Sequence, residues 1–211
     1  MAATPPARTR RKEARPAELL DAALETFRAR GFAATRMDDI AARAGVSKGT
    51  IYLYYPSKQA IFEALVRERL LPNLDRAEAA LAAAPGDAAA QLRLLLGRLA
   101  QVAGDPRITA LPKLVLAEAG NFPDLARFYR EAVVARGLGL VAGIIARGVA
   151  SGEFRPVDPP LAARLFFAPV ILAVLWQGVF APVEAEPFRA EPLIALHLDL
   201  FLRALAPGGA A

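Results

Sequence analysis

The chain has 211 residues, enough for one sizeable core or a small module packed on a larger one. It lacks cysteine and has one histidine, His197, which excludes a disulfide framework, a thiolate nucleophile and a thiolate or multi-histidine metal site. The formal charge of +5 lies wholly in residues 1–58, which carry 11 Lys/Arg against 6 Asp/Glu, while residues 59–211 hold 15 of each. An anionic surface would dock on that first quarter, nucleic acid being the leading candidate and an acidic membrane the next.

Residues 1–15, MAATPPARTRRKEAR, have no apolar stretch after their basic cluster and so do not form a secretory signal. They read as a disordered basic arm in which Arg8, Arg10, Arg11 and Lys12 are either solvated or against a DNA backbone. From 17 to 29, Leu19, Leu20, Ala23, Leu24 and Phe27 recur at helical spacing, and Gly31 ends the run. Two short helices come next, 36–44 and 47–54, separated by Gly45. A long helix over 57–83 is expected to bend at Pro72, because proline removes a backbone donor and crowds the preceding turn.

After the break at Pro85-Gly86, helical spacing predicts 87–103, 107–118, 122–150, 159–181 and 187–205. The expected fold is all-α with about nine helices and no internal repeat. The segment LFFAPVILAVLWQGVFAPV, residues 165–183, is 19 residues without a charge, about the length that crosses a bilayer. Pro169, Gln177 and Gly178 interrupt it, and neither end has a strong basic cluster. Together with FRAEPLIALHLDLFLRAL it makes two helices too apolar for a monomer's surface, which is what a helical dimer interface requires. Phe166, Leu172, Leu175, Leu196 and Leu200 are the candidate interface residues, and no membrane partner is expected.

Residues 35–55, TRMDDIAARAGVSKGTIYLYY, carry most of the functional information. Thr35 is expected to cap the first short helix, with Asp38 returning the capping bond. Ile40 and Ala41 face inward, Gly45 supplies the tight turn, Val46 fills the corner, Ser47 caps the second helix and Ile51 points to the core. That is a helix-turn-helix with 47–54 as recognition helix. The bland alternative is a helical hairpin with Gly45 as an ordinary C-cap. Ser47, Lys48 and Thr50 at the helix start, with the small Gly49 between them, favour the DNA-binding reading. Thr35, Arg36, Tyr52, Tyr54 and Lys58 complete the predicted DNA-contacting set, while Tyr55 is expected to pack inward.

From ELLDAALETFRARGF through TRMDDIAARAGVSKGTIYLYYPSKQAIFEAL, about residues 17–65, the chain resembles the TetR-type (TetR/AcrR) transcriptional regulators. Gly31-Phe32, Thr35, Ile40-Ala41, Gly45, Tyr52 and Lys58 match the family's motif, and Tyr55 stands where the family usually has phenylalanine. The resemblance implies a cytoplasmic homodimer that binds a pseudo-palindromic double-stranded DNA operator. It also implies a ligand cavity in the second domain and a four-helix bundle formed by the last two helices of each protomer. Leu92, Leu116, Phe122, Phe128, Tyr129 and Trp176 are the candidate pocket residues on that basis, with core packing an equal alternative for Phe122, Phe128 and Tyr129 and the helical bundle the alternative for Trp176.

The expected organisation is therefore a basic arm (1–15), a helix-turn-helix domain (16–60), a ligand-binding and dimerisation domain (61–206) and a flexible tail (207–211). The expected function is a ligand-responsive DNA-binding regulator, a repressor released by a small apolar or amphipathic molecule. The competing class is a helical scaffold or membrane-peripheral protein. Glu118, Asp124 and Glu131 lack the fixed, desolvated pairing that acid-base catalysis needs and read as a solvated face or as a contact for a cationic ligand. No enzyme activity, cofactor or metal is expected.

Overall fold

The computed structural model describes residues 10–83, 86–103, 105–186 and 188–208, with the side chains of all but 10–15, 178, 179 and 182. Among the described residues the regular structure is helical: α1 (Arg10–Ala34), α2 (Met37–Arg43), α3 (Lys48–Tyr54), α4 (58–83), α5 (Ala88–Ala103), α6 (Pro106–Glu118), α7 (Pro123–Ala150), α8 (Pro159–Val179) and α9 (Ala190–Leu205). The all-α architecture of nine helices is as the sequence predicts. Helix α1 begins at Arg10, so the last part of the predicted arm is helical. The run Arg-Arg-Lys-Glu-Ala-Arg consists of strong helix formers, which extends α1 ahead of its apolar stripe. Residues 1–9 of the arm and 209–211 of the tail lie outside the described residues.

Helix starts are fixed by side-chain acceptors. Ser47 Oγ accepts from the Thr50 N–H, Ser57 Oγ from Ala60, Asp105 from Arg107 and Asp158 from Leu161. Glu153 reaches across from the α7–α8 loop and accepts from the Ala88 and Ala89 N–H groups at 2.7 Å each, capping α5.

Two apolar cores organise the chain. The first joins Leu19, Leu20, Phe27, Phe32, Ile40, Ile51, Ile61 and Phe62 with Leu111, Leu114 and Val115 of α6 and Leu125 of α7. The second joins Leu92, Leu96, Val141, Ile144, Ile145, Phe154, Ala163, Phe166, Ile194 and Phe201. Each fully buried Leu, Ile or Phe stabilises the fold by about 1.5–3 kcal/mol through loss of water contact. The packing boundary does not coincide with the expected boundary at residues 60 and 61. Helix α4 gives its first half to one core and Ala77 and Leu81 to the other, and α6 and the start of α7 pack with the helix-turn-helix.

Helices α4 and α7 each contain one π-helical turn, at Val66–Leu70 and Arg130–Val134. In α4 the Leu71 N–H bonds to Val66 O, five residues back, immediately before Pro72. The expected disturbance at this proline therefore takes the form of a widened turn, which accommodates a residue with no N–H to give. Arg136 ties the two helices together beyond these turns, pairing with Glu78 and Asp75 at 2.5 and 2.7 Å.

Candidate nucleic-acid interface and its link to the second core

Helices α2 and α3 meet through a turn at Gly45, whose φ of 65° is the left-handed conformation that suits glycine. The Val46 N–H bonds to Ala41 O at 3.0 Å, and Ile40, Ala41 and Ile51 are buried beneath the pair. Burial of Ile51 orients α3, and its opposite side faces solvent. Lys48, Gly49 and Tyr52 are exposed on α3, as is Ser47 just before it. The Ser47 and Thr50 hydroxyls lie 2.8 Å apart, and the Lys48 ammonium pairs with Asp38 of α2 at 3.0 Å. The hydrogen bond that the Lys48 ammonium donates to Asp38 raises the Lys48 pKa above its ordinary value.

Several side chains sit differently from the sequence expectation. Thr35 is buried and donates to Gly31 O at 2.7 Å, so it neither caps α2 nor faces outward. Gly31 takes a φ of 76° and ends the regular part of α1, and the turn after it draws Thr35 inward. The cap position belongs to Arg36, which is exposed, and its N–H donates to Asp39 at 2.9 Å. Asp39, rather than Asp38, thus returns the capping bond, which leaves Asp38 for Lys48. Tyr54 packs with Tyr55 against the first core, and burial is the main cause raising the Tyr55 pKa, with the Glu68 charge adding to it.

Lys58 is the largest departure. Its ammonium donates to Phe32 O, Ala33 O and Thr35 O at 2.7, 3.0 and 3.2 Å, and it lies over the Phe32 and Phe122 rings at 4.6 and 5.2 Å. All three donors are thus used at the end of α1 and none is left for a phosphate. Burial lowers its pKa, and the Glu118 charge partly restores it.

Glu118 belongs to the same cluster. From the end of α6 its carboxylate accepts from the Ala33 N–H at 3.0 Å, and Phe122 packs edge-on against Phe32 with centroids 5.0 Å apart. A side chain first read as part of a solvated face is a strap between the helix-turn-helix and α6. Leu53, absent from the predicted set, is exposed on α3. Its phase was the available signal, since it lies opposite Ile51. Glu118 had no such local signal, because its partner is 85 residues away.

The six predicted pocket residues do not converge. Phe122, Phe128 and Tyr129 pack on the first core, where burial pushes the Tyr129 pKa up and Arg67 lies 5.0 Å over Phe128. Leu92 is within the second core, Leu116 is about half exposed, and the Trp176 indole N–H donates to Glu184 at 2.8 Å. These residues are spread along α5, α6, α7 and α8, and helical phase turns them toward different neighbours. A surface groove of about 390 Å³ lies elsewhere, between α5 and α9, lined by Arg93, Leu198, Asp199, Leu202 and Arg203.

Of the predicted interface residues, Leu172, Leu175, Leu196 and Leu200 are exposed, and Leu161 and Leu165 extend their stripe along α8. Phe166 is fully buried, edge-on to Phe167 and Phe201, because it faces α9 of its own chain. Among the described residues no group of three or more His, Cys, Asp or Glu is arranged to hold a metal.

An exposed recognition helix braced on a helical bundle defines a DNA-binding regulator of the helix-turn-helix class. The family profile "Bacterial regulatory proteins, tetR family" matches residues 19–65, and "Tetracyclin repressor-like, C-terminal domain" matches 82–190. The chain belongs to the TetR family, whose members are ligand-responsive DNA-binding regulators. It is 30% identical over 178 residues to the HTH-type transcriptional repressor KstR2 of Mycolicibacterium smegmatis, covering 80% of this chain and 82% of that one. To the fatty acid metabolism regulator protein of Bacillus subtilis it is 28% identical over 163 residues, 75% and 82% of the two chains. The Bacillus subtilis regulator FadR, solved in complex with stearoyl-CoA, superposes with a TM-score of 0.75 at 25% identity, covering 90% of this chain and 98% of that one.

Proposed function

We propose that the chain is a homodimeric transcriptional repressor in the cytoplasm, released from a pseudo-palindromic operator by an amphipathic effector with a long apolar part. The observation that carries this reading is the strap at the end of α1, where Glu118, Lys58 and Phe122 join the bundle to the helix-turn-helix. A shift of α6 or α7 passes to α1 and α4 through these contacts. Such a shift changes the separation of the two recognition helices, which must match the roughly 34–36 Å repeat of the major groove. The effector class is supported by the relatives, one named for fatty acid metabolism and one solved with stearoyl-CoA. The exposed leucine stripe of α8 and α9 supports pairing with a second copy over membrane contact. Arg36, Ser47, Lys48, Thr50 and Tyr52 are the proposed DNA contacts.

Fluorescence anisotropy of an operator duplex selected with this protein tests the proposal. Saturated acyl-CoA thioesters should weaken operator binding, and by linkage operator DNA should weaken thioester binding by the same factor. Equal operator affinity with and without every thioester up to its solubility overturns the effector class and leaves DNA binding standing.

A further inference from the structure

Helix α3 carries a large apolar side chain that belongs to neither apolar core of the described residues. Leu53 is 80% exposed, more than Tyr52 beside it at 44%. At 100° per residue it lies 200° from the buried Ile51, at the middle of the face turned away from the core. The neighbouring polar groups are already engaged within the chain, Lys48 with Asp38 at 3.0 Å and the Thr50 hydroxyl with Ser47 at 2.8 Å.

One turn earlier on the same face is Gly49. Side chains on a helix lean toward its amino end, so Leu53 covers the surface beside this glycine. The fold does not require glycine there. Gly49 is not among the positive-φ residues, and an added Cβ would meet only Ser47 Oγ, at 3.9 Å. Glycine within a helix is less favourable than alanine, so the bare backbone serves something outside the chain.

We propose that Leu53 and the open backbone at Gly49 form an apolar seat for the C5 methyl of one thymine in each half-site, which makes Leu53 a determinant of sequence choice. The methyl is the apolar group that the major-groove edge of a base pair presents, and it is unique to thymine among the four bases. This assignment rests on the proposed entry of α3 into the major groove.

The test selects an operator from a random duplex pool with the full-length protein, then replaces each half-site thymine by deoxyuridine, which removes the methyl alone. With wild type, one position per half-site should cost about fourfold in affinity, the worth of one buried methyl group, and roughly fifteenfold when both half-sites are changed. With Leu53→Ala that position should lose its sensitivity, while affinity for scrambled duplex and thermal melting stay as in wild type. Gly49→Ala should raise the melting temperature and weaken operator binding, a pair of opposite signs that a purely structural role does not produce. Wild-type indifference to deoxyuridine at every position, or full sensitivity retained by Leu53→Ala, overturns the assignment while the groove reading stands. Failure of the selection to yield any consensus overturns both.

Discussion

The Glu118 carboxylate accepts a hydrogen bond from the Ala33 N–H at 3.0 Å and so holds the end of α6 to the end of α1. Gly31 beside it is called for by its φ of 76°, since a Cβ there would stand 3.4 Å from the same carboxylate oxygen, an ordinary contact. Replacing Glu118 with alanine leaves the Ala33 N–H without its acceptor and should destabilise the fold by about 1–2 kcal/mol in urea melts. It should also shrink the ratio of operator affinities without and with effector, because the strap no longer passes on a movement of α6. An unchanged ratio with reduced stability would show the contact to be purely structural.

Lys58 differs from the other cations of this region in being turned away from solvent. Lys58→Met should leave the dependence of DNA affinity on salt unaltered, since no phosphate contact is lost. It should lower stability by about 1–3 kcal/mol, because three carbonyl oxygens lose a charged donor. A reduced salt slope in Lys58→Met would mean that the ammonium leaves these carbonyls for a phosphate in the complex.

Asp38 holds Lys48 at 3.0 Å, with both side chains more than half exposed. Asp38→Asn removes one negative charge from the DNA-facing side and frees the ammonium. Affinity for scrambled duplex should rise, and the salt slope of the dimer should steepen by about 1.8, which is about 0.9 for one added phosphate contact on each protomer. A slope that stays constant means that releasing Lys48 from Asp38 adds no phosphate contact.

Leu172→Glu and Phe166→Ala should separate association from folding. Leu172 is exposed in the single chain, so a carboxylate there is tolerated until a second copy covers it, and sedimentation should show monomer. Phe166 lies within the second core, so its truncation should cost about 3–5 kcal/mol of folding stability. Dimer persisting in Leu172→Glu moves the interface off α8.

His197 on α9 packs beside Phe201, and its buried Nε2 has no hydrogen-bond partner among the described residues. Burial lowers its pKa from the ordinary value of 6.5. The unfolded chain therefore binds more protons than the folded one just below pH 6.5. This contribution to stability is intact above that pH and is lost as pH falls through 6.5 toward the lower folded value. Thermal melts between pH 7.5 and 5 should show the loss in wild type and less of it in His197→Gln. Equal slopes in the two proteins assign the acid sensitivity to other groups.

The fold was legible because its signals are local. Leu19, Leu20, Ala23, Leu24 and Phe27 repeat at helical spacing, and Gly31, Gly45 and Ser47 mark ends through their own backbone or side-chain chemistry. The recognition helix was legible for the same reason. Partners distant in sequence were not. Lys58 reads as a free cation until α1 brings three carbonyls to it, and Phe166 and Leu172 are equally apolar until α9 covers one of them. The candidate pocket spread apart because apolar character marks burial without saying which core receives the side chain.

The widened turns of α4 and α7 give these two helices an unusual tolerance. Each turn holds one residue more than regular helical winding needs, so the downstream half of the helix keeps phase with the upstream half as though that residue were absent. Losing one residue elsewhere in either helix would rotate everything downstream by about 100° and carry residues such as Ala77, Leu81, Val141 and Ile144 off the second core. Losing one within Val66–Leu70 or Arg130–Val134 only tightens the turn. The length of the chain is thus negotiable at two points, both lying on the route that joins the DNA-binding end to the rest of the bundle.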